Sequence, residues 1–379
     1  MKISTEEYKN RIQKIKSILA QEDIDTLIVS EEEEIFYLTG LTYKSLERIF
    51  LLLITKDKVK FILPKMEYPH LKHVSNVDEI LYYWEYPAQS PDRWQDLLLK
   101  EIPSGSVVGL SSKSPFEIGN FLLEQQYPTK LSHIIEQLRW IKSDKEIELI
   151  RHTSKYCDKA VDILNQKAYY GMPEYEVLSI ASHIQASLIK EGEFDLSSEL
   201  LIAAWPSRIA FQPHGVPRID DVLIEGTHIS LSFFRINGYA AELERTFFTS
   251  DPTNEQKEVF EIMLEARKKS YEILKAGVIA EDIDYASRNF IKEKGLGDNL
   301  LHRTGHGIGL GNHEGPYLAV GDKTVLEENM IVSIEPGIYI EGVGGFRHSD
   351  TVLIKKDGYE ILTNCVDKLE DLILKRNKE

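Results

Sequence analysis

The stretch Gly305-His306-Gly307-Ile308-Gly309-Leu310-Gly311-Asn312-His313-Glu314-Gly315-Pro316 decides how the rest of the chain is read. Two histidines seven residues apart stand among glycines, and glycine lets a backbone approach a ligand closely. The spacing fits neither the GxGxxG dinucleotide fingerprint nor the GxxxxGK[ST] phosphate loop, so nucleotide binding is not indicated. The plain alternative is a glycine-rich turn with two surface histidines. The pieces on either side argue against it.

Four of those pieces place polar side chains in apolar or glycine-rich surroundings. They are Gln212-Pro213-His214-Gly215, Gly238-Tyr239-Ala240-Ala241-Glu242-Leu243-Glu244-Arg245-Thr246-Phe247, Ile334-Glu335-Pro336-Gly337-Ile338-Tyr339 and Gly345-Phe346-Arg347-His348-Ser349-Asp350. Glu335 follows the apolar run Met330 to Ile334, where a carboxylate is costly unless partnered. In a strand, residues two apart share a face, which puts Ala240, Glu242 and Glu244 on one side. His306 and His313 are candidates to donate to a developing oxyanion. Arg347 reads either as a carboxylate receptor or as an ion-pair partner of Asp350, and Arg48 after Glu47 has the same two readings. Tyr239 reads as a wall of the substrate pocket.

Taken in order, these pieces resemble the pita-bread family of proline dipeptidases, aminopeptidase P, methionine aminopeptidase and creatinase, peptidase family M24. The resemblance runs from Ser143 to the C-terminus, and Tyr37-Leu38-Thr39-Gly40 with Glu47-Arg48 resembles that family's N-terminal domain. It implies an α+β protein of two domains: an α/β creatinase-N-like domain over residues 1–138 and a catalytic pita-bread domain over residues 139–379. A homodimer is the implied assembly, with Arg48 serving the site of the same subunit or its partner.

Family peptidases hold two divalent metals with two aspartates, one histidine and two glutamates. By motif match the histidine falls on His306 and the first glutamate on Glu335; the aspartates fall on or near Ser232 and on Glu242, and the last glutamate on Ser349. Two dications about 3.5–4 Å apart need several carboxylates to offset their repulsion. The expectation is therefore no metal, or one divalent ion (manganese, cobalt or zinc) on Glu242, His306 and Glu335, and not a dinuclear centre. The segment Leu231-Ser232 with Glu244-Arg245-Thr246 is closer to creatinase, the metal-free member. That resemblance puts the proton-shuttling histidine on His214, the guanidinium-binding glutamates on Glu244 and Glu335, and a substrate-carboxylate arginine on Arg48. The implied function is a C–N hydrolase of a small molecule or dipeptide, Xaa-Pro dipeptidase-like in fold. The alternatives are a metal-free amidine or amide hydrolase of the creatinase or ectoine-hydrolase kind, and a binding module that has lost catalysis.

Composition sets the outer bounds. At roughly 150 residues per domain, 379 residues suit two to three domains. The longest apolar run, Ile49 to Ile54, is far short of the ~20 residues of a membrane span, and Met1 to Tyr8 has no signal-peptide core, so a cytoplasmic protein is the default expectation. Sixty-one acidic against 45 basic residues give a net charge of −16, which disfavours nucleic acid and anionic lipid as partners. Two cysteines, Cys157 and Cys365, make neither a disulfide framework nor a zinc cluster.

The periodicity predicts a helix from Glu6 to Leu19, then β-rich runs at Thr26–Val29, Ile35–Leu38 and Ile49–Ile54, the last forming a hairpin with Val59–Leu63. Ser143 with Glu146 is a capping box that opens a long helix. Further helices are predicted at Pro173–Lys190, Asn254–Leu274 and Glu281–Lys294. Strands are predicted at Leu200–Ile202, Thr227–Phe234, Tyr239–Phe248, Met330–Ile334 and Thr351–Ile354.

Overall fold

The computed structural model describes residues 2–85 and 88–376. It divides into two compact units, Ile3–Arg139 and the chain from Trp140 onward. The N-terminal unit is a six-stranded sheet in the order β4-β3-β2-β1-β5-β6. Its strands are β1 (Thr26–Val29), β2 (Leu51–Thr55), β3 (Val59–Pro64), β4 (Glu79–Tyr83), β5 (Val108–Ser111) and β6 (Thr129–Ser132). β2 runs antiparallel to both β1 and β3, as the hairpin reading required, and the remaining pairs are parallel. Helices α1 (Thr5–Leu19), α2 (Glu32–Thr39), α3 (Tyr68–Leu71), α4 (Trp94–Glu101), α5 (Phe116–Glu124) and α6 (Ile134–Trp140) complete it. Ile28, Leu53, Ile62, Trp94, Leu98 and Leu110 pack together in its core.

One expected strand is a helix. Ile35–Leu38 lies inside α2 because Glu31 caps the helix by accepting the Glu34 N–H, and Gly40 ends it in the left-handed conformation (φ 71°). Three glutamates in the first turn also suit the positive end of the helix dipole. Local β propensity in four residues lost to signals at both ends.

The C-terminal unit opens with α7 (Asp144–Lys167), where the Ser143–Glu146 capping box forms, followed by α8 (Glu174–Glu191). Then come β7 (Glu199–Trp205), β8 (Thr227–Ile236), β9 (Tyr239–Phe248), α9 (Asn254–Ile273), α10 (Ala280–Glu293), β10 (Gly305–Gly307) and β11 (Glu314–Leu318). The last strands are β12 (Ile331–Ile334), β13 (Gly337–Ile340), β14 (Gly344–Arg347), β15 (Ser349–Lys355) and β16 (Gly358–Ile361). Eight of these form one sheet in the order β11-β10-β12-β15-β9-β8-β7, with β16 on β15, and β13 pairs with β14 separately.

Side chains on α7 bond to the backbone of β9: Thr153 donates to the Tyr239 carbonyl (3.0 Å) and Cys157 to that of Ala241 (3.3 Å). That fixes one face of the β8–β9 ribbon against the helix and leaves the other free for a site. β15 is anchored from behind by a buried ionic cluster in which Asp350 meets both Arg245 and Arg267. Among the described residues no helix is long and apolar enough to cross a membrane.

Candidate active site

The alternation of side chains along two paired strands selects the residues of the site. β8 and β9 pair with Leu231 opposite Glu244 and Phe233 opposite Glu242, so these four side chains share one face. That face lines a cavity of about 650 Å³, together with His214, His302, Arg303, His313, Glu335, Arg347 and an apolar wall that includes Trp205, Val216 and Ile219. Ser232 is absent from the lining: it is buried on the opposite face, beside Cys157 of α7. The first aspartate position was expected on or near Ser232; of these neighbours, the side chain facing the cavity is Leu231.

β10 carries His306 between glycines that the packing demands. A methyl group at Gly305 would collide with the Ser333 carbonyl, and one at Gly307 with that of Gly315. The strands close to these distances only without side chains. The His306 N–H donates to Ser333 Oγ (3.0 Å), Nδ1 donates to the Gly307 carbonyl (3.1 Å), and Nε2 lies 3.1 Å from Glu335 Oε1 and 3.7 Å from Glu242 Oε2. Burial alone would depress this imidazole, but Glu242 and Glu335 push it up to about 9. Burial likewise favours protonated Glu335, yet the bond from His306 and its charge hold that carboxyl far below its ordinary value. Burial raises Glu242 against the pull of His306, and Ser349 Oγ donates to its Oε1 at 2.8 Å. An imidazolium thus lies between two glutamates of the cavity lining.

Glu244 has a different partner. Arg347 from β14 grips it at two points, Nη2 to Oε1 (2.6 Å) and Nε to Oε2 (2.5 Å), both residues buried. Arg347 Nη1 also donates to the Tyr339 hydroxyl (3.1 Å), which sits 2.9 Å from His302 Nε2. Since His302 Nδ1 serves the Arg303 carbonyl (2.7 Å), its Nε2 accepts from Tyr339. Burial keeps His302 neutral, depressed to about 4. Arg347 is therefore committed to Glu244 and is not a free carboxylate receptor, and its expected pairing with Asp350 is not made; Asp350 belongs to Arg245 and Arg267.

His313 faces the cavity with its ring 3.9 Å from that of His306. Burial first, then the His306 charge, depress it to about 4, so it is neutral at pH 7. His214 lies at the mouth, exposed on the loop after β7.

Two expected substrate contacts do not fall in this cavity. Tyr239 is buried against α7, its hydroxyl donating to Glu146 (3.0 Å). Arg48 belongs to the N-terminal unit, where its guanidinium lies 2.8 Å from Glu85 and 3.4 Å from Glu47. The sequence reading missed Tyr339, His302 and Arg303. The last two lie just ahead of the decisive glycine stretch, separated from it only by Thr304, and that proximity was the available signal.

The donor set decides what metal fits. Leu231 offers no donor, Ser349 offers a hydroxyl already given to Glu242, and Arg347 brings a guanidinium onto Glu244. Two adjacent dications do not fit here, because too few carboxylates remain to balance them. One ion does fit: the ligand atoms of Glu242, His306 and His313 all lie within 4.8 Å of one another, a three-donor set of the kind that leaves a coordination position open. His313 thus joins the tight group, while Glu335 sits on His306 instead.

The cavity gathers glutamates, histidines and arginines on one face of this sheet. Residues 148–356 match the description "Metallopeptidase family M24" and residues 11–141 match "Creatinase/Prolidase N-terminal domain". The chain belongs to metallopeptidase family M24. It is 32% identical over 357 residues to an uncharacterized peptidase of Staphylococcus haemolyticus, covering 94% of this chain and 99% of that one. It is 30% identical over 366 residues to an Xaa-Pro dipeptidase of Pyrococcus horikoshii, covering 95% and 98%. Among solved structures, the prolidase from Pyrococcus horikoshii superposes with a TM-score of 0.81 at 30% identity, covering 95% of this chain and 99% of that one.

Proposed function

We propose that this chain is a C–N bond hydrolase for a small, dipeptide-sized substrate and that it works without a dinuclear metal centre. Its relatives include an Xaa-Pro dipeptidase, and a cavity of about 650 Å³ suits a substrate of that size. The observation that carries the reading is the charged end of the cavity. His306 pairs with Glu335 and Glu242, Leu231 faces the cavity beside the expected first-aspartate position on or near Ser232, and Ser349 stands where the resemblance puts the last glutamate.

In this mechanism His214 takes the proton of the attacking water and returns it to the leaving nitrogen. His306 gives its Nδ1–H to the Gly307 carbonyl, and its Nε2 lies 3.1 Å from Glu335 Oε1, so in this reading His306 pairs with Glu335 and is left out of the oxyanion contact. Neutral His313 supplies the donor that the developing oxyanion needs. Glu242, Glu244 and Glu335 make this end of the cavity acidic and hold the NH-rich end of the substrate, while Arg347 keeps Glu244 in position. A single divalent ion on Glu242, His306 and His313 would acidify a bound water. A homodimer belongs to the same reading.

The acidic end supports a second substrate class, guanidino or cyclic amidine acids, as in the creatinase-like reading. A panel of Xaa-Pro dipeptides, guanidino acids and cyclic amidines, assayed with and without chelator, separates the two. His214→Ala is expected to lower kcat by at least about a hundredfold while the circular dichroism spectrum and Tm stay at wild-type values. Near-normal turnover by that variant would remove the shuttle role. Failure of the wild type to turn over any member of the panel would leave a binding module.

A further inference from the structure

The cavity contains two guanidinium groups in opposite situations. Arg347 is spent on Glu244. Arg303 lines the same cavity, is only half-buried, and among the described residues makes neither an ion pair nor a side-chain hydrogen bond. Its Nε is buried without a hydrogen-bond partner among the described residues, and the guanidinium makes a cation–π contact with Tyr317, its carbon 4.9 Å from the ring centre. It stands near His313, whose imidazole feels its charge. A cation left unneutralised inside a cavity of a chain with net charge −16 is complementary to an anion, and a planar fork of donors matches a carboxylate best. Stacking on Tyr317 fixes the plane of that fork before any ligand arrives.

We propose that Arg303 is the carboxylate receptor of this pocket. The substrate then spans the cavity with its carboxylate on Arg303 and its NH-rich end over Glu242, Glu244 and Glu335, so that a zwitterionic amino-acid derivative with a free carboxylate is the class selected. This rests on the proposed hydrolase reading for turnover, but binding tests it independently. Arg303 makes no ion pair among the described residues, so its replacement leaves no charge unpaired, and Arg303→Met should fold.

Two measurements decide the matter. The first is the ratio of kcat/KM for alanyl-proline to that for alanyl-prolinamide, in the wild type, Arg303→Met and Arg303→Lys. The second is fluorescence titration of the cavity residue Trp205, with Trp205→Phe as the blank, using alanyl-proline against its amide and guanidinoacetate against its methyl ester. The wild type is expected to favour the free acids by about tenfold to a hundredfold. Arg303→Met should bring that ratio near one, chiefly through KM, and Arg303→Lys should recover part of it. If the wild type hydrolyses nothing, the hydrolase reading fails, while the titration still decides the role of Arg303. Equal binding of acid and neutral analogue by the wild type, binding of neither, or an acid preference retained in Arg303→Met would each overturn the assignment.

Discussion

Leu231 stands opposite Glu244 across the β8–β9 pairing, on the face where the family resemblance calls for a metal-binding aspartate. On the proposed reading Leu231, together with Ser349 bonded to Glu242, takes the place of two of the carboxylates that two adjacent dications would need. Motif matching put the aspartate position on or near Ser232, yet in a strand a shift of one residue exchanges the two faces, and only the register shows which residue looks into the cavity. His306, Glu335, Glu242 and Glu244 were legible because their spacing to neighbouring glycines and apolar runs is fixed within single motifs. The partner of Arg347 was not: Glu244 lies 103 positions away, and local sequence does not encode which of several acids a guanidinium meets. If these substitutions are the reason for the charge deficit, reversing them should restore a second ion. Leu231→Asp combined with Ser349→Glu is expected to raise the zinc or manganese content by about one ion per chain over wild type, read by elemental analysis after dialysis. An unchanged content would mean that the deficit lies elsewhere.

The long amphipathic helices and the β8–β9 ribbon were legible from periodicity and capping. The short strands β10, β11, β13 and β14 were not, because glycine-rich segments of three to five residues carry no period. These are also the strands that hold His306 and Arg347. The loop bearing His214 depends on β8 in a similar way. His228 at the start of that strand accepts the Ser207 N–H on Nδ1 (3.1 Å) and donates from Nε2 to the Ile224 carbonyl (2.8 Å), so it ties down the beginning of the loop in its neutral form. Burial depresses it from 6.5 to about 4, against the pull of the Ile224 carbonyl. Between those values the unfolded chain binds a proton that the folded chain refuses. The folded state is thus fully favoured above 6.5 and loses up to about 3 kcal/mol as the pH falls toward 4. Urea denaturation from pH 4 to 7 should show a shallower dependence in His228→Gln than in the wild type. Parallel curves would show that His228 is not the linked group.

At the scale of the molecule, the catalytic proposal draws on one unit only. The C-terminal unit contains the whole 650 Å³ cavity, from Trp205 on β7 to Arg347 on β14. Its charges are distributed unevenly: Glu242, Glu244 and Glu335 stand at one end with the Arg347 guanidinium and the neighbouring His306, while Glu174 and the Arg303 guanidinium, unpaired among the described residues, lie elsewhere in the lining. Placement of a dipolar substrate follows from that distribution, and the same distribution limits how many cations the acidic end accepts. The most direct test is to load chelator-treated protein with manganese, cobalt and zinc in turn, remove the excess, and count ions per chain by elemental analysis. The account predicts at most one ion per chain for every metal, bound on Glu242, His306 and His313 and reduced by His313→Ala. Two ions per chain, bound side by side and retained through dialysis, would contradict it.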